Sequence, residues 1–214
     1  MMKRFIAIFA ALVCTLAAFA QTPEEILTRM EEAVNNHENE GSILGLDIKI
    51  PILGTMSTKT WMLGDKMYIE TKVMGKDALI WSDGTTQWTY IPSKNEIEIE
   101  DDKPSSSSAE GDMEMLSGIA DGYDVSIKKE TAEAWYIQCK KSKDNKNEDD
   151  PKKMDVVVSK ADYHPISLST KMKGVSVTLH DIDFGVTEEK VTFDITKYPG
   201  AKITDKRGQS DGKK

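Results

Sequence analysis

The stretch that decides the fold is LIWSDGTTQWTYIP, residues 79–92. In its middle, Asp83-Gly84 readily adopts the positive φ angles of a type I′ turn and separates two apolar, aromatic runs. We therefore predict a β-hairpin in which these two residues form the loop and Leu79 lies opposite Trp88. Side chains alternate between the two faces of a strand. One face of the hairpin thus carries a broad apolar surface made of Leu79, Trp81, Trp88 and Tyr90.

A second hairpin is predicted just before it, with strands over residues 58–63 and 66–73. Gly64-Asp65 between them suits a type II′ turn. This register sets Trp61 opposite Tyr68 and Lys59 opposite Glu70, which are a favourable aromatic pair and a favourable charge pair. The other face of this hairpin collects Thr58, Thr60, Met62, Met67 and Ile69.

One amphipathic helix is predicted ahead of the strands. Thr22 is a good N-cap, Pro23 suits the first turn, and two glutamates follow at the positive end of the helix dipole. The apolar residues then recur at helical spacing as Ile26, Leu27, Met30 and Val34. We expect the helix to end near Asn35-Asn36.

The rest of the chain has the alternating pattern of short strands, with one exception. A short helix is predicted over residues 112–120, where Met113, Leu116 and Ile119 recur at i, i+3 and i+6. Further strands are predicted over residues 45–50, 96–100, 123–128, 134–140, 154–159, 165–172, 175–184, 191–195 and 201–204. Many short strands with few helices predict a mainly β (α+β) fold, built as an antiparallel sandwich or barrel.

The N-terminus has the pattern of a secretory signal peptide. A basic start is followed by an apolar run and by Ala18-Phe19-Ala20, an A-x-A cleavage site. A lipoprotein signal at Cys14 is disfavoured, because Val13 precedes it where a small residue is required. We therefore expect cleavage after Ala20, a single domain over residues 21–207 and a disordered tail over residues 208–214.

Charge and cysteine content exclude several classes of function. The net charge of −8 becomes more negative when the basic signal peptide is removed, which argues against nucleic acid and against tight docking on anionic lipid. Cys139 is then the single remaining cysteine, so no internal disulfide can form. Its position in an alternating strand favours a small buried hydrophobe over a reactive thiol.

Residues typical of catalysis do not form a recognisable pattern. His37, His164 and His180 lack the spacing of a metal site, and the sequence contains neither a Gly-x-Ser-x-Gly elbow nor a glycine-rich phosphate loop. The acidic run over residues 96–102 could bind calcium, but a solvated strand face is the simpler interpretation. We therefore predict no enzyme activity, no cofactor and no metal.

The apolar surface has two interpretations. It is either an ordinary core, or a cavity whose soft side chains accept acyl chains beneath a movable amphipathic helix. A resemblance to a known protein family favours the cavity interpretation. Residues 80–84 (IWSDG) and 88–92 (WTYIP) are similar to the "vsDG…W.Y.P" signature of the outer-membrane lipoprotein carrier family, LolA and its relatives. Residues 193–207 resemble the closing motif of that family, so the resemblance spans nearly all of residues 21–207.

This resemblance implies an unclosed antiparallel β-barrel of about eleven strands, covered by a helical lid and located in the periplasm. Such a carrier takes acylated lipoproteins from an inner-membrane transporter and passes them to an outer-membrane receptor. We expect a monomer without stable membrane insertion. The expected lipid-binding residues are Met62, Met67, Ile69, Leu79, Trp81, Trp88, Tyr90 and Ile97, and the expected lid residues are Met113, Leu116 and Ile119.

The chain departs from the family at one place. The family's Arg-Pro step after the second strand, whose arginine is tied to the lid, falls here on Gly64-Asp65. Another way of closing the lid, or another lipid cargo, is therefore implied. Two other functions stay open at this point: a sensor of mislocalised lipoproteins that regulates an envelope stress response through a protein partner, and a β-sandwich with a filled core.

Overall fold

The computed structural model describes residues 21–37, 39–73, 75–102, 118–148 and 150–208. The expected signal peptide, most of the expected C-terminal tail and residues 112–117 of the predicted second helix lie outside these ranges. Within them, one long helix packs on one extended sheet.

The helix α1 spans Pro23–Asn35 and begins as its sequence predicts. The Thr22 hydroxyl accepts a hydrogen bond from the backbone N–H of Glu25, and the Glu25 carboxylate accepts one from the backbone N–H of Thr22. This capping box satisfies two amide groups that the helix itself leaves unpaired. The predicted apolar stripe is buried, and it consists of Ile26, Leu27, Met30 and Val34.

In the described residues twelve strands form a single sheet, which confirms the mainly β, unclosed architecture with one strand more than the eleven or so expected. The order across the sheet is β12-β6-β5-β4-β3-β2-β1-β11-β10-β9-β8-β7. Neighbouring strands are antiparallel except β6 and β12, which are parallel. The strands are β1 Ser42–Ile50, β2 Gly54–Leu63, β3 Lys66–Val73, β4 Lys76–Ser82, β5 Thr86–Ile91, β6 Glu96–Asp101, β7 Tyr123–Glu130, β8 Ala134–Lys141, β9 Lys153–Ser159, β10 Pro165–Met172, β11 Val175–Phe184 and β12 Lys202–Asp205.

The β2–β3 register is the predicted one, with Trp61 opposite Tyr68 and Lys59 opposite Glu70. The β4–β5 register differs from the prediction by two residues, because Trp81 lies opposite Trp88. The turn there is formed by Gly84, at φ 83°, and Thr85 rather than by Asp83-Gly84.

The Asp83 side chain explains this turn. Its carboxylate accepts hydrogen bonds from the backbone N–H groups of Thr85 and Thr86, so it organises the loop from the flanking position. A shift by two residues leaves every side chain on its predicted face, because the strand period is two.

The strand predicted over residues 191–195 is wrong. This part of the chain contains the short helix α2, Glu188–Val191, and a 3₁₀ turn at Ile195–Lys197. Val191 is buried and Phe193 packs against the sheet, so both contribute to a core rather than to an additional strand.

The sheet has a core on each face. The inner face, defined here as the face that packs against α1, carries the larger core. The outer face carries a smaller core of aromatic side chains beneath residues 186–198.

Candidate functional site

The candidate site is the inner face of the sheet under and beside α1. The four buried residues of α1 pack there against apolar side chains from most of the strands. The strand residues of this inner core are Leu44, Met62, Trp135, Ile137, Cys139, Met154, Val156, Val158, Leu168, Leu179 and Ile182.

Methionine is prominent in this core. Met30 from α1 and Met62 and Met154 from the sheet are buried in it, and Met67 packs against it. Methionine is unbranched and polarisable, so it fills irregular space and repacks around a new neighbour at little cost. This lining can therefore adapt to flexible apolar ligands.

Next to the residues of the inner core, the same face of the sheet continues over β3 and β4. Ile69 and Ile80 lie opposite each other there, and both are half-buried outside the two packed cores. Threonine side chains border them on the neighbouring strands: Thr60 lies opposite Ile69, and Thr89 lies opposite Ile80. The result is an apolar strip at the margin of the helix-covered core.

The eight residues expected to bind lipid divide between the two faces. Met62 lies opposite Met67 on the inner face, and Ile69 lies on the same face two residues further along β3. The other five lie on the outer face. Tyr68 is the neighbour of Met67 in β3 and therefore points to the opposite face, and Trp81 lies opposite Tyr68 on that face. These outer-face residues are Leu79, Trp81, Trp88, Tyr90 and Ile97.

The outer-face aromatics are packed against the C-terminal part of the chain. The Trp88 and Phe193 rings stack with centroids 5.3 Å apart, and the Tyr90 and Tyr198 centroids are 4.3 Å apart. Trp81 contacts both Phe193 and Tyr198. These contacts give the outer face the character of a filled aromatic core.

Tyr68 completes this outer core. Its hydroxyl donates a hydrogen bond of 2.9 Å to Glu70. Burial and this bond to a carboxylate both raise the pKa of Tyr68. An open pocket of about 380 Å³ lies nearby, but charged side chains such as Lys190 and Lys197 line it alongside Tyr68 and Trp81. It therefore lacks the apolar lining that an acyl chain requires.

Of the expected lid residues, Met113 and Leu116 lie outside the described residues. Ile119 is 5 % exposed and belongs to the inner core. The residues that flank 103–117 contact different elements. Asp102 is held at the β4–β5 turn by a hydrogen bond from the Ser82 hydroxyl, whereas the backbone N–H of Gly118 donates to Glu31 of α1.

Polar contacts tie the N-terminal half of α1 to the turn between β9 and β10. The Tyr163 hydroxyl lies 2.8 Å from the Gln21 side-chain amide and 3.0 Å from the Arg29 guanidinium, and both groups donate to it. The guanidinium carbon of Arg29 is also 5.1 Å from the centre of the Tyr163 ring. We name these three residues the helix tie.

Sequence reasoning missed Ile80 and the helix tie. The inner-face position of Ile80 can be deduced only when Ile69 is placed on the inner face and the β3–β4 register, which pairs the two residues, is known. The helix tie joins residues more than 130 positions apart, and no local pattern marks them.

The described part of the chain contains no cluster of three or more His, Cys, Asp or Glu side chains placed to hold a metal ion. Within the same residues, no helix is both long and apolar enough to cross a bilayer. Cys139 is buried in the inner core, as predicted, and burial raises the pKa of its thiol to about 11.

Comparison with known proteins identifies the family. The family model described as "Outer membrane lipoprotein carrier protein LolA" matches residues 15–175. No curated protein matches the chain.

The solved structures that match this chain share little sequence with it. LprF from Mycobacterium bovis is 8 % identical, with a TM-score of 0.49, over 78 % of this chain and 96 % of LprF. MucB, solved in complex with MucA(peri), is 13 % identical, with a TM-score of 0.42, over 80 % of this chain and 60 % of the MucB chain. An uncharacterized conserved protein from Thermus thermophilus is 14 % identical, with a TM-score of 0.41, over 85 % of this chain and 98 % of that protein.

Proposed function

This chain belongs to the family of the outer membrane lipoprotein carrier protein LolA, and from that membership we propose that it is a periplasmic carrier of lipoproteins. It shields their acyl chains in an apolar site and shuttles them from the inner to the outer membrane. It performs no chemical reaction. Its partners are acylated lipoproteins, an inner-membrane transporter that releases them and an outer-membrane receptor that accepts them.

The observation that supports this proposal most directly is the methionine-rich inner core under α1. Exposing an acyl chain to water costs about 0.8 kcal/mol per CH₂ group, so a carrier must cover the chain during transit. It must also release the chain, since each ~1.4 kcal/mol of affinity corresponds to a factor of ten in the dissociation constant. Contacts with Met30, Met62 and Met67 provide apolar cover without a polar group that fixes one ligand.

We place the entry of the acyl chain at Ile69 and Ile80, where the inner face is half-buried beside the core. From there the chain displaces α1 and occupies space next to Met62 and Met67. In this proposal the outer-face residues Leu79, Trp81, Trp88, Tyr90 and Ile97 stabilise the sheet instead of touching lipid.

We further propose that Met113, Leu116 and Ile119 belong to the lid. Of these three residues, Ile119 lies in the described part of the chain, and the backbone N–H of the preceding Gly118 donates to Glu31 of α1. Met113 and Leu116 cover the acyl chain in this arrangement, and Ile119 anchors the lid in the inner core.

The test is a release assay. Purified protein is added to spheroplasts that hold newly made, labelled outer-membrane lipoproteins, and the soluble fraction is analysed for a complex of the two. We expect release in complex with the protein. The double variant Ile69→Glu, Ile80→Glu should lower release at least tenfold, because a carboxylate at the entry disfavours an apolar chain.

Ile203→Glu is the matched control. Ile203 is an exposed isoleucine on β12, away from the inner face, and its substitution should leave release unchanged. Urea unfolding must show that both proteins are folded. A folded wild-type protein that releases nothing, and that carries no lipid in native mass spectrometry, would contradict the carrier proposal.

A further inference from the structure

Three neighbouring hairpins of the sheet point in the same direction. Strand direction alternates across β4-β3-β2-β1-β11-β10, so the β3–β4, β1–β2 and β10–β11 turns all lie at one end of the sheet. We call this end, formed by residues 49–56, 72–73, 75–77 and 171–176, the hairpin end. It differs from the rest of the surface in both polarity and charge.

The β1–β2 turn at its centre presents large apolar side chains to solvent. Ile52 is fully exposed and Leu53 is 82 % exposed, and Met56 and Met172 are exposed beside them. Exposed apolar groups of this size, gathered at one place, mark interaction sites on soluble proteins.

The backbone conformation of Ile52 is a second indication that its side chain does not contribute to folding. Its φ is 74°, in the left-handed region that a β-branched residue adopts only under strain. The exposed side chain makes no packing contact that would offset this strain. An isoleucine at such a position is explained by a contact outside the folded chain.

Lysines surround this apolar centre. All five are exposed, and they are Lys49, Lys72, Lys76, Lys171 and Lys173. In the described part of the hairpin end the one acidic residue is Asp77, whose carboxylate lies 3.6 Å from the Lys72 ammonium group. This local positive charge contrasts with the net charge of −8 of the whole chain.

We propose that the hairpin end binds the surface of an anionic lipid bilayer. Ile52 and Leu53 enter the interface between headgroups and acyl chains, and the five lysines contact the anionic headgroups. Apolar insertion combined with basic residues at the surface is how peripheral proteins bind membranes reversibly. The interaction does not depend on the lipoprotein-carrier proposal.

The negative net charge of the chain led us to expect no tight docking on anionic lipid, and the hairpin end revises that expectation. At physiological salt the electrostatic screening length is about 8 Å, so a membrane responds to the charges at the contact and not to those on the far side of the sheet. The lysines of the hairpin end therefore outweigh the acidic residues elsewhere.

The test is flotation of the wild-type protein with empty vesicles. Vesicles of phosphatidylcholine with phosphatidylglycerol should carry the protein upward at low salt, and vesicles of phosphatidylcholine alone should carry much less. Ile52→Asn should weaken binding at least tenfold, since it removes one inserted side chain. Asparagine accepts a positive φ, so this variant retains the fold.

Ile166→Asn is the matched control, because Ile166 is exposed at the opposite end of the same sheet. It should bind like the wild type. If the wild-type protein does not float with either vesicle, or if Ile52→Asn binds as well as Ile166→Asn, the proposal is overturned.

The charge component is tested separately. Lys76→Gln and Lys171→Gln should each weaken binding to the anionic vesicles about fivefold. Lys128→Gln is their control, because Lys128 is exposed on β7 towards the opposite end of the sheet. Equal effects of the three substitutions would show that only overall charge matters, which would also overturn the proposal.

Discussion

Met67 and Tyr68 are neighbours in the chain, yet they belong to different cores. Met67 packs against the inner core under α1, and Tyr68 is buried in the outer core beneath the C-terminal part of the chain. A single strand thus separates a surface rich in soft aliphatic side chains from one of stacked aromatic rings. The two surfaces should respond differently to substitution.

Trp81 tests the structural role of the outer core. Trp81→Ala removes a buried ring that contacts Tyr68, Phe193 and Tyr198, so we expect a loss of about 3–5 kcal/mol in the free energy of unfolding. Urea denaturation followed by circular dichroism measures this loss. The milder Trp81→Phe should retain the fold and the binding of a fluorescent acyl probe. Loss of probe binding by folded Trp81→Phe would place the lipid site on the outer face.

Tyr163 tests the helix tie. Tyr163→Phe deletes the acceptor of the Gln21 and Arg29 hydrogen bonds, which should cost about 1 kcal/mol and loosen the N-terminal half of α1. We expect amide hydrogen exchange in α1 to become roughly fivefold faster, since 1.4 kcal/mol corresponds to a factor of ten. Tyr136→Phe on β8 serves as the control. Unchanged exchange in α1 would show that the apolar stripe alone holds the helix.

Cys139 reports whether the inner core stays closed. Burial raises the pKa of this thiol to about 11, so at pH 8 its thiolate fraction is roughly two hundredfold below that of a free cysteine with a pKa near 8.5. We expect very slow labelling by iodoacetamide in the folded protein and normal labelling in urea. Rapid labelling of the folded protein at pH 8 would show that the inner core opens readily without ligand.

The pairing of β6 with β12 should depend on pH. The hydrogen bond and the positive charge of Lys202 hold the pKa of Glu96 below its usual value, and Lys206 pairs with both Glu98 and Glu100. A carboxylate whose pKa is lower in the folded state than in the unfolded state stabilises the fold. This stabilisation is complete above the pKa of the unfolded state, near 4.3, and it is lost as the pH falls through the lower pKa of the folded state.

We therefore expect the protection of the β12 amides from hydrogen exchange to stay constant between pH 7 and about pH 5. Below about pH 4 it should decrease. Mass spectrometry of the peptide that contains Lys202–Asp205 measures it. Glu96→Gln should flatten this dependence; an unchanged pH profile in that variant would show that Glu96 does not contribute.

Local sequence signals predicted several elements accurately. The cap, the proline and the apolar spacing of α1 all agree, so both its ends and its buried stripe were predictable. The β2–β3 pairing was predictable because Gly64-Asp65 fixes a two-residue turn and thereby the register. In contrast, the side-chain hydrogen bonds of Asp83 displaced the next turn by one residue, which dipeptide preference alone does not reveal.

The division of the site between two faces was not predictable in the same way. Each hairpin shows which of its own residues share a face, but the relation between the hairpins depends on the β3–β4 register. That register joins Tyr68 to Trp81, and it places the apolar set of β3 and that of β4 on opposite faces. The aromatic cover from Phe193 and Tyr198 lies more than 100 positions further along the chain and has no local signature.

The parallel pairing of β12 with β6 also bears on the order in which the protein assembles. Lys202 reaches Glu96 across 106 positions of the chain, so this contact cannot form until the chain through Lys202 is available. Until then β6 is an unpaired edge that can recruit a strand from another molecule. Contacts of such long sequence separation form slowly, because loop closure must precede them. The interval before β12 docks is therefore a stage of folding at which an additional strand edge is open to aggregation.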